Sequence, residues 1–94
     1  MDDVFKALGD ESRRKLLHVL LWWDGLTLTE LHGKFPGVSR QAVSKHLKVL
    51  ELAGMVTVVR RGKEKLHFLN AKPLYYVSLE MEPYKRAWLE KVKN

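Results

Sequence analysis

Apolar side chains recur with a helical period through the first half of the chain and again near its end, with a strand-like stretch between. Val4, Phe5 and Leu8 form one side of a short first helix, which Asp2 or Asp3 caps and Gly9 stops. Asp10 has the chemistry of an N-cap, and Glu11 in the following turn favours the positive end of the helix dipole. Leu16, Leu17, Leu20 and Leu21 supply the buried stripe of this second helix. Arg13, Arg14, Lys15 and His18 fall largely elsewhere, and Asp24-Gly25 ends it. Thr27-Leu28-Thr29-Glu30 reads as a capping box, in which hydroxyl and carboxylate each accept from the other residue's backbone N–H. It opens a short third helix with Leu28, Leu31 and Phe35 on its buried side, broken at Pro36-Gly37-Val38. Ser39 caps a fourth helix with Ala42 or Val43, Leu47, Leu50 and Ala53 on its apolar face, and Gly54 closes it.

The pattern then changes. Met55-Val56-Thr57-Val58-Val59 and Leu66-His67-Phe68-Leu69 are β-rich, and Arg60-Arg61-Gly62-Lys63-Glu64-Lys65 between them makes the tip of a hairpin. From Pro73 the helical period returns: Leu74, Val77, Met81, Tyr84, Trp88 and Val92 follow at steps of three or four. Pro83 lacks an N–H and is expected to kink this segment or to start another helix. The adjacent Trp22 and Trp23 cannot both point into one small core. At least one should meet another part of the chain, a ligand or a second subunit, and packing is the preferred reading.

Taken alone, the helix after Ser39 is an ordinary amphipathic helix with a solvated face. The short capped helix and tight break before it change that reading, because together they have the layout of a helix-turn-helix. Arg40, Gln41, Ser44, Lys45 and Lys48 then front the second helix, where side chains can meet base edges and phosphates. A hairpin placed directly after such a pair is a wing, and Arg60, Arg61 and Lys63 at its tip can reach phosphates or the minor groove beside the helix's site. The fold expected is mainly α with a small β-hairpin, in the order α-α-α-α-β-β-α, a single winged helix-turn-helix domain over residues 1–94. Its last helix has an apolar aromatic edge too long for one small core to cover, so a homodimer through the terminal helices is expected.

Charge strengthens this reading. The formal net charge is +6 and the isoelectric point about 9.7. Residues 1–38 carry a net of −1, whereas residues 39–65 hold seven Lys/Arg against Glu51 and Glu64, a net of +5. Positive charge gathered on one segment is the footprint of a polyanion binder. Apolar residues make 46% of the chain and charged residues 30%, a globular balance. With no cysteine there is no disulfide framework and no thiolate chemistry. The longest apolar run, Val19 to Trp23, is too short to span a bilayer and the start of the chain does not read as a signal peptide, so a cytoplasmic location without membrane contact is expected. No nucleophile elbow, Gly-rich phosphate loop or His-Glu-x-x-His run is present, and an enzyme is not expected.

Several stretches carry a family resemblance: Ala7-Leu8-Gly9-Asp10-Glu11-Ser12-Arg13, Leu16-Leu17, Leu28-Thr29-Glu30-Leu31, Ser39 through Val56, Arg61-Gly62-Lys63, and Glu82-Pro83-Tyr84 with Trp88. Over nearly its whole length the chain resembles the arsenical-resistance-repressor (ArsR-type) winged-helix regulators, in a cysteine-free branch. The resemblance implies a homodimer held by the first and last helices, binding double-stranded DNA at an operator and usually repressing the adjacent genes. By position it makes Ser39, Arg40, Gln41, Ser44 and Lys45 groove-facing and gives Arg61 and Lys63 to the wing. Val4, Phe5 and Leu8 of the first helix, with Leu74, Val77, Met81, Tyr84 and Trp88 of the last, are the candidate dimerisation residues. Many relatives sense metals through paired cysteines or through Asp/His clusters on the last helix. Here cysteine is absent, and His18, His32, His46 and His67 lie on four separate elements with none after residue 67. No metal site and no cofactor are expected; a small-molecule inducer stays open. The alternative is a winged helix that engages a protein rather than a duplex.

Overall fold

Leucine side chains from three helices meet at one centre: Leu16 and Leu20, Leu31, and Leu50 are fully buried, with Ala7 of a fourth helix and Val43 beside them. The computed structural model describes residues 1–93. Asn94, the last residue of the domain expected from the sequence, lies outside them. The elements run α1 (Asp2–Leu8), α2 (Glu11–Trp22), α3 (Leu28–His32), α4 (Arg40–Leu52), β1 (Val56–Arg61), β2 (Glu64–Leu69) and α5 (Lys72–Lys93). This is the order the pattern predicts, mainly helical with one antiparallel hairpin.

Local chemistry fixes most boundaries. Asp10 Oδ1 accepts from Arg13 N at 3.1 Å, and the Thr27–Glu30 capping box is complete in both directions. The stop after α4 is a Schellman motif: Gly54 N donates to Glu51 O at 2.9 Å and Met55 N to Leu50 O at 2.9 Å. That geometry places Gly54 at φ +81°, where a Cβ is strained. It also turns Met55 straight into the core, where it is fully buried. The cap of α1 differs from expectation. Met1 occupies the N-cap without a side-chain hydrogen bond, and Asp2 and Asp3 lie in the first turn, where they favour the dipole without capping it.

Helix α4 is the hub, packing on α1, α2, α3 and β1. Its Val43, Leu47 and Leu50 face inward, and burying each such side chain favours the fold by about 1.5–3 kcal/mol. One apolar expectation on α2 fails. Leu21 is exposed because it falls one step beyond Leu17 on the rim of the buried arc. The tryptophans do not share the core: Trp22 is 74% exposed, and Trp23 meets another part of the chain, with Lys34 Nζ over its ring 4.4 Å from the centroid. Phe35 is buried as expected, but from the turn beyond α3.

The hairpin pairs farther than expected. Val56↔Leu69 through Arg61↔Glu64 are in register, so residues 60, 61, 64 and 65 belong to strands and only Gly62-Lys63 turns. Gly62 has φ +63° and Lys63 does not share it. That is the type II′ arrangement, with the twist that closes a two-residue hairpin. His67 ties the hairpin to the core: its backbone N–H and its Nδ1–H both donate to Leu26 O, at 2.8 and 2.9 Å. The last helix is a single α5 running through Pro83, with no second helix starting there. Proline removes only one backbone donor, and the carbonyl it leaves unpaired lies on an exposed helix within reach of water. No residue of α5 is buried, and the described molecule extends 56 × 26 × 23 Å.

Candidate nucleic-acid interface

The polar face of α4 follows from its apolar one. With Val43, Leu47 and Leu50 turned inward, Arg40, Gln41, Ser44, Lys45 and Lys48 are left exposed. Arg40, Ser44 and Lys48 stand on successive turns, about 6 Å apart along the axis. No carboxylate occupies the first turn of α4, so the positive end of its dipole is not neutralised by a side chain of its own. Ser39, expected to face the groove, spends its hydroxyl on capping: Oγ accepts from Ala42 N at 3.1 Å.

Between this face and the hairpin lies a cleft of about 1140 Å³. Helix α4 contributes Arg40, Ser44, Lys45 and Lys48 to it, and the hairpin contributes Arg61 and Lys63. Six of the nine candidate DNA-binding residues are thus brought to one place. Gln41, Ser39 and Arg60 are exposed but stand outside the lining. Two side chains not singled out from the sequence line it as well, Lys65 and Thr29. Lys65 lies two residues beyond Lys63 and had a signal in the basic tip. Thr29 had none, since its role depends on a residue eleven positions away: Arg40 Nη1 donates to Thr29 Oγ1 at 2.9 Å.

Three carboxylates share the cleft, and two are engaged. Glu30 Oε1 accepts from Thr27 N at 2.9 Å, and that bond, with the one to the Thr27 hydroxyl, holds its carboxyl below the usual value. Glu51 lies 3.5 Å from Lys48 Nζ. Lys45, Arg61 and Lys63 have no ion-pair partner among the described residues. The cationic side chains of the cleft therefore exceed what its own acids neutralise.

Behind this face, His46 backs α4 against the end of α1. Arg13 donates from Nε to Ala7 O at 2.7 Å and from Nη2 to Lys6 O at 3.0 Å, closing the last turn of α1. Its Nη1 reaches His46 Nδ1 at 3.4 Å, and Asp10 Oδ1 lies 3.9 Å from the same nitrogen. The Asp10 carboxyl is held below its ordinary value, chiefly by the N–H of Arg13 and, against partial burial, by the charges of His46 and Arg13. His46 is thus a supporting residue. Among the described residues no three His, Asp or Glu gather as a ligand set for a metal, and no helix is long and apolar enough to cross a membrane.

The candidate dimerisation residues divide. Val4 is spent in the protomer's own core, because the first turn of α1 points it at α2 and α4, so it offers no free surface. Leu8, Leu74 and Val77 are half-buried against that core. Phe5, Met81, Tyr84 and Trp88 are exposed, Trp88 by 62%.

Residues 8–59, which run from the last residue of α1 through α2, α3 and α4 into most of β1, match the family model of a helix-turn-helix domain. An HTH-type transcriptional regulator of Bacillus subtilis, YuzN, is 45% identical over 78 residues, covering 78% of this chain and 85% of its own. The solved structure of an ArsR-like transcriptional regulator from Rhodococcus sp. RHA1 superposes with a TM-score of 0.76 at 32% identity, over 97% of this chain and 84% of that one. The chain belongs to the ArsR family of winged helix-turn-helix transcriptional regulators. A second Bacillus subtilis relative, the transcriptional repressor SdpR, is 34% identical over 74 residues, covering 79% of this chain and 80% of its own. The fold of this ArsR-family regulator is therefore a DNA-binding one, and the cleft between α4 and the hairpin is where that fold gathers its cations.

Proposed function

We propose that the protein is a repressor that binds a two-fold operator as a homodimer. Each protomer lays α4 in the major groove and sets its wing on the flanking backbone or minor groove. The observation that carries the reading is the cleft itself, in which Arg40, Lys45 and Lys48 of α4 face Arg61 and Lys63 of the hairpin. An exposed helix face with an un-neutralised N-terminus is the right size and polarity for the major groove, and a cationic hairpin beside it suits phosphates. Arg40 and Gln41 read bases, while Ser44, Lys45 and Lys48 fix register and Arg60, Arg61 and Lys63 hold the backbone. Ser39 contributes by holding the first turn of α4 in shape.

Dimerisation is supported by α5. A helix of 22 residues with Met81, Tyr84 and Trp88 exposed along one edge has apolar surface that its own protomer does not cover. Pairing that edge with its symmetry mate makes a self-complementary contact and presents two copies of α4, which suits half-sites about 34–36 Å apart. The repressor activity of the relative SdpR supports the direction of regulation.

Selection of bound duplexes from a random pool tests the reading. The expected result is a motif with two-fold symmetry, bound with an affinity that falls steeply with salt in proportion to the phosphates contacted. Recovery of no motif, together with salt-insensitive binding, overturns it in favour of a protein-binding module.

A further inference from the structure

Among the described residues, the one side-chain hydrogen bond that reaches from α3 to the exposed face of α4 is the Thr29–Arg40 bond. Thr29 is itself well fixed. It lies in the first turn of α3, where the Thr27–Glu30 capping box closes the backbone on both sides, and its carbonyl accepts from Gly33 N at 3.0 Å. A long side chain near a helix N-terminus is otherwise free to sample many rotamers, and ordering it on binding costs affinity. A bond to a hydroxyl carried on a fixed backbone narrows that freedom before a duplex arrives. One N–H of Nη1 is used by Thr29, which leaves the Nε–Nη2 edge with two parallel N–H bonds. That edge is the fork that matches the O6 and N7 acceptors of guanine.

We propose that Thr29 is a positioning residue for Arg40: it pre-aims the guanidinium and so sets base preference without itself meeting a base. The inference rests on the reading of Arg40 as a base-contacting residue and adds the neighbour that makes the contact selective. Both residues line the cleft, and supporting side chains of this kind determine how sharply a first contact discriminates.

The test uses the full chain, the selected duplex, and a second duplex altered at the base pair whose preference Arg40→Ala removes. Thr29→Val keeps shape and β-branching while deleting the acceptor; Thr29→Ser keeps the acceptor. The expected result is that Thr29→Val narrows the affinity ratio between the two duplexes about three- to tenfold. Most of that loss should fall on the selected duplex, with an unchanged melting temperature. Thr29→Ser should restore the ratio to within about a factor of two, and Thr29→Val should add nothing in an Arg40→Ala background. The positioning role is overturned if Thr29→Val keeps the wild-type ratio, if Thr29→Ser fails to restore it, or if both duplexes weaken together. Should Arg40→Ala itself leave the selected preference intact, base reading by Arg40 fails and Thr29's role falls with it. Loss of preference in Arg40→Ala but not in Thr29→Val removes Thr29 alone.

Discussion

Arg40 and Lys63 face the same cleft, yet replacing them should separate two kinds of contact. Arg40 is held by Thr29 and presents a planar fork, so Arg40→Ala is expected to cost about 1–3 kcal/mol on the preferred duplex and to relax preference at one base pair. Lys63, at the second position of the hairpin turn, has no ion-pair partner among the described residues. Lys63→Ala should weaken all duplexes alike and reduce the salt slope by about one. Competition binding on the selected and a scrambled duplex at several salt concentrations reads both. Equal behaviour of the two variants would contradict the division of labour. At this scale the sequence was informative about residue type and silent about pairing. Lysine and arginine on a polar helix face announce polyanion contact, but nothing local says that a threonine eleven positions back will hold one of them.

At the scale of elements, the helix starts were legible because a cap is a local bargain between a side chain and the next two or three backbone donors. Asp10, Thr27 and Ser39 all cap as their spacing implies. Asp10 also couples elements, because it sits near His46 and so touches the junction where Arg13 joins α1 to α4. Its carboxyl titrates below its ordinary 3.8, chiefly through the Arg13 N–H. The unfolded chain therefore holds that proton more tightly, and Asp10's contribution to stability is fully present above the unfolded value. It is lost as pH falls through the lower folded value. Asp10→Ala is expected to lower stability by about 1 kcal/mol near neutral pH and to flatten the acid limb of the stability profile. Thermal melts from about pH 6 to about pH 2 check this, and an acid limb identical to wild type would assign the effect to other carboxylates. Elements whose ends depend on tertiary pairing were less legible. The strands extend to Arg61 and Glu64 because a tight type II′ turn lets the basic residues pair, whereas composition alone assigned them to a loop.

At the scale of the whole molecule, the uncovered edge of α5 is the dominant feature. Exposed Met81, Tyr84 and Trp88 on a helix with no buried residue are costly to leave in water. Trp88→Glu places a charge in the middle of the proposed two-fold contact and should dissociate the homodimer, lowering operator affinity because each half-site then binds alone. Sedimentation at micromolar concentration measures the first effect and duplex binding the second. A variant that remains dimeric would move the interface away from Trp88. Val4 is no part of this surface, for it is consumed by the protomer's core.

The sequence by itself determined the order of elements, the caps at Asp10, Thr27 and Ser39, the inward faces of α4 and α2 near Leu16, Leu17 and Leu20, and the concentration of positive charge after Ser39. These follow from interactions within about one helical turn or one strand repeat, which periodicity records directly. Only the tertiary structure decided which cations share a cleft, that Gln41 stands outside its lining, and that Leu21, Trp22 and Trp23 remain exposed. It also decided that Arg40 is held by Thr29. The physical reason is distance along the chain: a side chain's partner in space is set by how whole elements pack, and no local pattern encodes which of several equally polar or apolar neighbours the packing will bring to it.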